Sequence, residues 1–514
     1  MFQPNRIGEK KILDQILDAK TRTFVICAAL LALFLGALDA LIVSAAMPTI
    51  VAELGGLHLY SWVYSAYFLT RAVSLPIFGK LADRLTNKTL LNISIIIFIL
   101  ASILAGLSTR MLFLIIARAF QGIGAGGIFA LVYIILADIA LPAKRGKILS
   151  LAGSIWGIAS VLGPTLGGFI VSYLSWCWIF LINVPLGLIS LFGITNFLIE
   201  VRTKKKDVDL DLMGVFSLSL TILGLLTAFI LGGRMYAWSS PLILILFVAS
   251  AAAGVGFYFA EKNARDPILS LQFFSDRGFS IGNGSTFLSS FAIFALFAYA
   301  PLFIQGALGK SPMQVGIAML SLSLGWSIGS LVLGQVVHRI GKAAAAVWGA
   351  LFLVAGCAWT LFFSTTTSMT ECFFAFQIAG LGMGFVTLST LLIVQDGVSM
   401  ADLGVATASN QFARTLGGTV GVGICGGLVT GKFLTTVNSI TETHLGNGSD
   451  YFSASSSRFT IENLYQPEMR DLLSSEVYQM LQEAVVAGVS MAFWVILLAA
   501  GLCFGLCLWL PGRK

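Results

Sequence analysis

Charge is what this chain has least of: Asp, Glu, Lys and Arg make up 11% of its 514 residues, against roughly 25% in an ordinary soluble domain. So little charge excludes a water-soluble enzyme. Histidine is scarcer still. His58, His338 and His444 lie near the ends of apolar runs or between them, which leaves no clustered base, nucleophile or metal ligands for a membrane-embedded enzyme. No catalytic residue and no metal site is expected. The seven cysteines (27, 177, 357, 372, 425, 503 and 507) show no metal-ligand or paired spacing, and nearly all fall within apolar runs, where cysteine packs as a small hydrophobe. A phosphate-cradling G-x-x-x-x-G-K-[ST] run is missing too, which argues against ATP as the energy source; no cofactor is expected.

What the chain has in quantity is apolar length. Hydrophobic residues make up 57% of it, and stretches of about 20 residues, enough to cross a ~30 Å hydrocarbon core as helix, recur throughout. Fourteen are expected, near 24–46, 61–81, 89–109, 111–136, 148–172, 175–198, 212–233, 241–260, 279–305, 312–336, 343–363, 371–394, 404–430 and 484–510. The formal charge of +7 sits in short clusters between these runs, which suits a membrane surface and not nucleic acid. Of 31 Lys and Arg residues, 22 fall on one side of the bilayer, six on the other and three inside spans. Because basic loops are retained in the cytoplasm, both termini are expected there, in a multi-pass protein of the cytoplasmic membrane.

An offset of about 255 residues relates the two halves. Gly79 and Arg84 map onto Gly334 and Arg339, and Phe120-Gln121, Gly124 and Gly126 map onto Phe376-Gln377, Gly380 and Gly382. Spans 1–6 then correspond to spans 9–14, with spans 7 and 8 as an insert, and paired bundles with a midplane site are the architecture of secondary transporters. The expected units are a cytoplasmic amphipathic segment at 1–23, a six-helix bundle at 24–198, a linker with two inserted helices at 199–260, a cytoplasmic linker at 261–278, and a second six-helix bundle at 279–510. The last contains a long outer loop, 431–483, whose end places Leu473, Val477 and Met480 at the spacing of a short surface helix.

The motifs resemble those of the major facilitator superfamily. GKLADRLTNK (Gly79 to Lys88) is similar to its loop 2–3 signature, and LDALIVSAAMP (Leu38 to Pro48), RAFQGIGAGG (Arg118 to Gly127), GPTLGG (Gly163 to Gly168) and WCWIFLINVPLG (Trp176 to Gly187) follow. With fourteen spans, the chain resembles the drug:proton antiporter branch, the multidrug and quaternary-ammonium efflux type. The resemblance implies an all-α polytopic membrane protein with two six-helix bundles plus two inserted helices. It implies that Gly79, Asp83, Arg84 and Lys88 latch the halves in one access state. Thr86 and Asn87 stand where Gly and Arg are usual, which leaves a weaker latch or one resting on Arg84 and Lys88. Simple positive-inside topology accounts for the cations here but not for Asp83. Gly163, Pro164, Gly167 and Gly168 resemble the signature of exporting branches; as structure alone they read as a kink with a close helix contact.

A charge deep in a membrane is costly and faces a partner or a cavity. Asp39 stands seven residues before the outer end of span 1 and Arg118 seven after the outer start of span 4, so each lies ~10 Å deep at 1.5 Å per residue and the two can meet. Asp39 is then the proton-coupling carboxylate, with Arg118 tuning it, a role the resemblance also implies; the alternative is a permanent ion pair that only fixes packing. Tyr60, Tyr64, Tyr67, Arg71, Ser74 and Phe78 form one stripe of span 2, and Thr407, Asn410 or Gln411, and Arg414 one of span 13. Both stripes line a cavity, or else both arginines tie helices through carbonyls. Gln121, Gln377, Phe291, Phe294 and Trp326 complete the expected cavity, and Trp156, Tyr299 and Trp359 are further stacking candidates.

The expected function is proton-coupled efflux of hydrophobic or amphiphilic small molecules, such as drugs, by alternating access, with the protein working as a monomer. Three deep arginines against one aspartate favour neutral, zwitterionic or anionic substrates at least as much as cations. Export of one dedicated metabolite, such as a siderophore, lipid or antibiotic, is the second reading, and a non-transporting sensor the third.

Overall fold

In the computed structural model the described residues are 18–55, 59–140, 144–200, 211–233, 236–264, 271–399, 402–444 and 475–511. Most of the amphipathic segment expected at 1–23, most of the linker after 199, part of the 261–278 linker, and the middle of the outer loop lie outside them. Among the described residues the secondary structure is helical, with one isolated bridge between Gly232 and Tyr236. Fourteen long helices follow one another. They are α1 (Ala19–Leu54), α2 (Tyr60–Arg84), α3 (Asn87–Gly106), α4 (Met111–Asp138), α5 (Arg145–Tyr173), α6 (Trp178–Phe197), α7 (Leu212–Leu231), α8 (Pro241–Asn263), α9 (Arg277–Leu302), α10 (Pro312–Ile340), α11 (Lys342–Trp359), α12 (Met369–Asp396), α13 (Leu403–His444) and α14 (Ser475–Leu508). Thirteen have the length and apolarity to cross a membrane. The fourteenth, α2, is 25 residues long and owes its lower apolarity to Tyr64, Tyr67, Arg71 and Ser74.

Local signals set several starts. Ser311 with Gln314, and Ser368 with Glu371, form capping boxes at α10 and α12, and Asp276 accepts from Phe279 N at α9. Gly341, at φ +82°, turns α10 into α11, a conformation that costs glycine nothing.

Several lengths depart from the expected ones. α1 runs to Leu54, eight residues past the expected end; α6 breaks at Ile182. α13 is 42 residues long and α14 begins at Ser475. The loop expected over 431–483 is therefore helical at both ends, and Val477 and Met480 belong to the first turns of α14, not to a separate surface helix. Hydropathy marks the bilayer but not the point where a helix stops. Thr, Lys and Asn beyond Gly431 are tolerated in an exposed helix.

The two halves pair their helices in the same way. α4 packs against α2 and α3 as α12 packs against α10 and α11, and α1 lies on α5 and α6 as α9 lies on α13 and α14. Glycines make these approaches possible and fix the register. A Cβ on Gly122, Gly124 or Gly126 would collide with Tyr67 O, Phe98 N and Arg71 O; on Gly380, Gly382 or Gly384 it would meet Leu322 O, Leu353 N and Trp326 O. The partners on α2 and α3 are thus offset by 255 from those on α10 and α11, whereas the glycines themselves are offset by 258. The three extra residues correct the sequence register. Gln121 corresponds to Ala379, not to Gln377, because a run of glycines at every second position matches itself equally well two residues out of step.

Two seams join the halves, α2 with α13 and α5 with α10. Both are tight on the side where α1 begins, called here the basic side. A Cβ on Gly79 would lie 2.1 Å from Ala408 Cβ, and on Gly153 and Gly157 it would lie 2.4 and 1.9 Å from Ser330 Oγ and Ser327 Oγ. Eleven residues on from Gly157, and eleven before Ser327, Gly168 and Gly316 continue the same faces with no neighbour within 4 Å. The α5/α10 seam is therefore closed at the basic side and splayed at the other. The insert flanks the α2/α13 seam, where Leu218, Ile222 and Leu226 of α7 pack with Leu69, Ala72 and Leu416.

Candidate functional site

Inside the first bundle, Asp39 of α1 is fully buried and has a donor for each lone-pair direction it uses. Arg118 Nη1 donates to Oδ2 at 2.6 Å, and Gln121 Nε2 and Asn183 Nδ2 donate to Oδ1 at 2.8 and 3.0 Å. Arg118 also donates to Gln121 Oε1 at 2.7 Å and from Nε to Val63 O at 3.3 Å, while Gln121 reaches Ser102 Oγ at 2.8 Å. The Tyr67 ring lies 4.2 Å from the guanidinium carbon, and its hydroxyl donates to Gly36 O. Five helices, α1, α2, α3, α4 and α6, are knotted around one charge pair. The pair forms although α1 runs on past its expected end, because the last turns of α1 overshoot the start of α4.

Removing one partner of such a pair strands the other. Arg118→Met is expected to cost about 3–5 kcal/mol. The midpoint of thermal unfolding of the purified protein checks it.

Between the halves runs a chain of rings with a cation at each end. The Arg71 guanidinium lies 4.8 Å from the Phe68 ring centre and 5.0 Å from that of Phe129. Phe129 is 5.5 Å from Trp156, and Trp156 stacks on Trp326 of the other half at 6.4 Å with planes 4° apart. Arg414 stands 5.9 Å from both Trp326 and Tyr133, and Phe294 meets Trp326 edge-on. Trp156, Trp326, Arg414, Tyr133 and Ser330 line one small cavity on this path.

At the basic side the buried Asp83 carboxylate accepts from Gly404 N at 3.0 Å and Val405 N at 3.2 Å, amides in the first turn of α13, where a helix terminus favours negative charge. Asn87 donates from Nδ2 to Asp138 Oδ2 at 3.1 Å, and the Asn87 and Lys88 amides donate to Glu200. The residue that departs from the usual loop pattern is thus itself tied into α4.

Other expected cavity residues lie elsewhere. Tyr64 packs in the core of the first bundle around Ile42 and Trp176. Phe291 is buried in the second bundle, Tyr299 donates there to Val422 O, and Gln377 lies where α12 crosses Gly325 of α10. Asn410 bonds Thr286 of α9 at 2.8 Å, inside the second bundle, while Gln411 is buried one turn before Arg414. Trp359 is 38% exposed on the outer surface of the helices. Gly163 permits close contact with Leu41 of α1, Gly167 is buried, and Gly168 is open; the side chain of Pro164 is outside the described set. Sequence reasoning did not assign Asn183, Ser102, Phe68 or Phe129. Asn183 carried a signal, an amide in an otherwise apolar run; the other three carried none.

The sequence matches the Major Facilitator Superfamily over residues 29–422. It is 37% identical over 413 residues to the multidrug transporter protein MdtP of Bacillus subtilis (strain 168), covering 80% of this chain and 76% of that one. It is 31% identical over 481 residues to multidrug resistance protein 3 of the same organism, covering 92% of each. Among solved structures, the fold is similar to that of the human organic anion transporter MFSD10 (TETRAN), with a TM-score of 0.65 at 15% identity over 95% of this chain and 99% of that one. A proton:xylose symporter, XylE, superposes with a TM-score of 0.58 at 14% identity over 93% and 96%. Fourteen bilayer-length helices, two halves with matching helix pairing and this sequence match lead to one assignment: the chain is a multi-pass membrane protein of the Major Facilitator Superfamily, a transporter of small molecules and not an enzyme.

Proposed function

We propose that this transporter exports hydrophobic or amphiphilic small molecules in exchange for protons, within the fourteen-span drug:proton antiporter branch, and that it works as a monomer. The reading rests above all on Asp39, a single carboxylate set deep among the spans and held by Arg118, Gln121 and Asn183. The multidrug names of its bacterial relatives point the same way.

With 22 of 31 cations on the basic side, that side is cytoplasmic, and the closed ends of both seams make this an outward-facing arrangement. A proton reaching Asp39 neutralises it and releases Arg118 from its charge partner, weakening the knot that holds α1, α4 and α6 together. Loss of the proton inward restores it. Asp83, seated on the start of α13, latches the closed cytoplasmic side. The electrical gradient alone supplies about 2.3 kcal/mol per charge per 100 mV.

The test is proton flux across proteoliposomes under an imposed pH gradient, on adding cationic, neutral and anionic amphiphiles in turn. Substrate-triggered proton movement is the expected result. Substrate flux with no proton movement, under any of the three classes, would sink the coupling.

A further inference from the structure

The glycine register places the four central side chains in a symmetric relation. With the 255 offset for α2 and α10, Arg71 corresponds to Trp326; with the 258 offset for α4 and α12, which also relates Gly146 and Ser150 of α5 to Gly404 and Ala408 of α13, Trp156 corresponds to Arg414. Each half contributes one arginine and one tryptophan at exchanged positions. Because α2 seams with α13 and α5 with α10, both arginines fall on one seam and both tryptophans on the other. The space between the halves has a cationic wall and an aromatic wall.

Among the described residues no acid answers these two arginines. Arg71 and Arg414 are each 8% exposed, and neither forms an ion pair among the described residues. The Asp39 oxygens are already engaged by Arg118, Gln121 and Asn183, and Asp138, Glu261, Glu371 and Asp396 stand at helix ends. Donor atoms of these side chains and of Gln411 are also idle: Arg71 Nη1, Arg414 Nε, Trp156 Nε1 and Gln411 Nε2 are buried without an acceptor among the described residues. A native protein leaves few buried donors unmatched, and a group of them calls for an explanation. Arg414 and Trp156 line the same cavity, with Gln411 one turn away on α13. A cation would face two fixed positive charges there and gain only the ring faces; an oxyanion would satisfy charge and donors together.

We propose that the transported species is an organic anion: a carboxylate or comparable oxyanion on a flat apolar body, its charged group held by Arg414, Trp156 Nε1 and Gln411 with Arg71 adding attraction, its body against Trp326 and Phe294. This rests on the reading of the interbundle space as the substrate path and narrows it to one charge class.

Equilibrium binding to the full chain in lipid nanodiscs, read by calorimetry, tests it with three probes of one shape: 2-naphthylacetate, its neutral amide, and (2-naphthylmethyl)trimethylammonium. The carboxylate is expected to bind at least tenfold tighter than the amide, with the ammonium weakest. Arg414→Gln is expected to bring the carboxylate down to the affinity of the amide, and Arg414→Lys, which keeps the charge but not the planar fork, to fall between. Should Arg414→Gln fail to fold, Arg71→Gln, expected to lose about half of the preference on a logarithmic scale, carries the same test. Equal or tighter binding of the amide or the ammonium, a carboxylate preference that survives both substitutions, or no binding of any probe would overturn the proposal. Binding is read without flux, so a failure of proton coupling leaves this result standing, and the reverse holds.

Discussion

Asp39→Asn is expected to abolish substrate-driven proton movement, by a hundredfold or more, in proteoliposomes under a pH gradient. The substitution keeps the shape of the side chain and removes its ability to take up and release a proton. It also upsets the hydrogen-bond arithmetic of the knot. Asp39 now accepts three donors, from Arg118, Gln121 and Asn183; an amide offers one acceptor oxygen and places two N–H groups where a carboxylate oxygen stood. If the new oxygen faces Arg118, the new N–H groups face Gln121 Nε2 and Asn183 Nδ2, donor against donor. Gln121 cannot simply turn round, because its Oε1 accepts from Arg118 at 2.7 Å. A stranded buried donor costs about 1–3 kcal/mol, so a measurable drop in thermal stability accompanies the loss of coupling. The two effects separate in Asn183→Ala, which removes one donor and leaves the carboxyl: stability falls while coupling persists. Asp39→Asn with proton movement at the wild-type level would reduce the pair to a packing device.

That Asp39 and Arg118 meet was legible in the sequence, because an apolar span is a ruler and two charges at similar depth on neighbouring spans have few other partners. The fourteen helices were legible for the same reason. Asn183 and Ser102 were not placed in the knot, since their roles depend on which faces of α6 and α3 turn inward, and a span apolar on every side does not reveal its rotation. Phe129 failed for the opposite reason: an aromatic residue in an apolar helix looks the same whether it meets lipid, core or a guanidinium. The internal repeat was visible at about 255 residues, but the shift to 258 within α4 was hidden by its own evidence. Glycines spaced two apart match at either register, and only the backbone atoms they touch decide. With the wrong register, Gln377 looked like the partner of Gln121, and the exchange of arginine and tryptophan between halves could not be seen.

The closed basic side offers the second large effect. Gly79 of α2 faces Ala408 of α13 so closely that a Cβ there would lie 2.1 Å from the Ala408 Cβ, with Gly404 O at 3.2 Å. Gly79→Ala therefore cannot be absorbed by a side-chain rotation, since neither methyl has one. The helices must part, and parting them draws Asp83 away from the Gly404 and Val405 amides. Overpacking of this kind costs about 1–3 kcal/mol, and loss of a carboxylate at a helix N-terminus adds up to ~2 kcal/mol where the site is partly buried. Because the closed state is disfavoured while the open one is untouched, the sum appears as a shift of population, on the order of 10- to 100-fold or more at 1.4 kcal/mol per decade. Spin labels at the exposed Leu85 and Ser399, with Cys27 and Cys177 replaced by serine, report the separation of the α2 end from the α12–α13 turn. Gly79→Ala is expected to move their distance distribution from short to long and to slow transport at least tenfold. Ala408→Gly on the same chain removes the opposing methyl, so the double variant Gly79→Ala/Ala408→Gly should recover the short distance and much of the transport. Asp83→Asn, which keeps the backbone contact but gives up the charge and one acceptor, should lie between. A double variant as open as the single one would show that the latch does not work through this contact, leaving the loop cations Arg84 and Lys88 to hold the closed side.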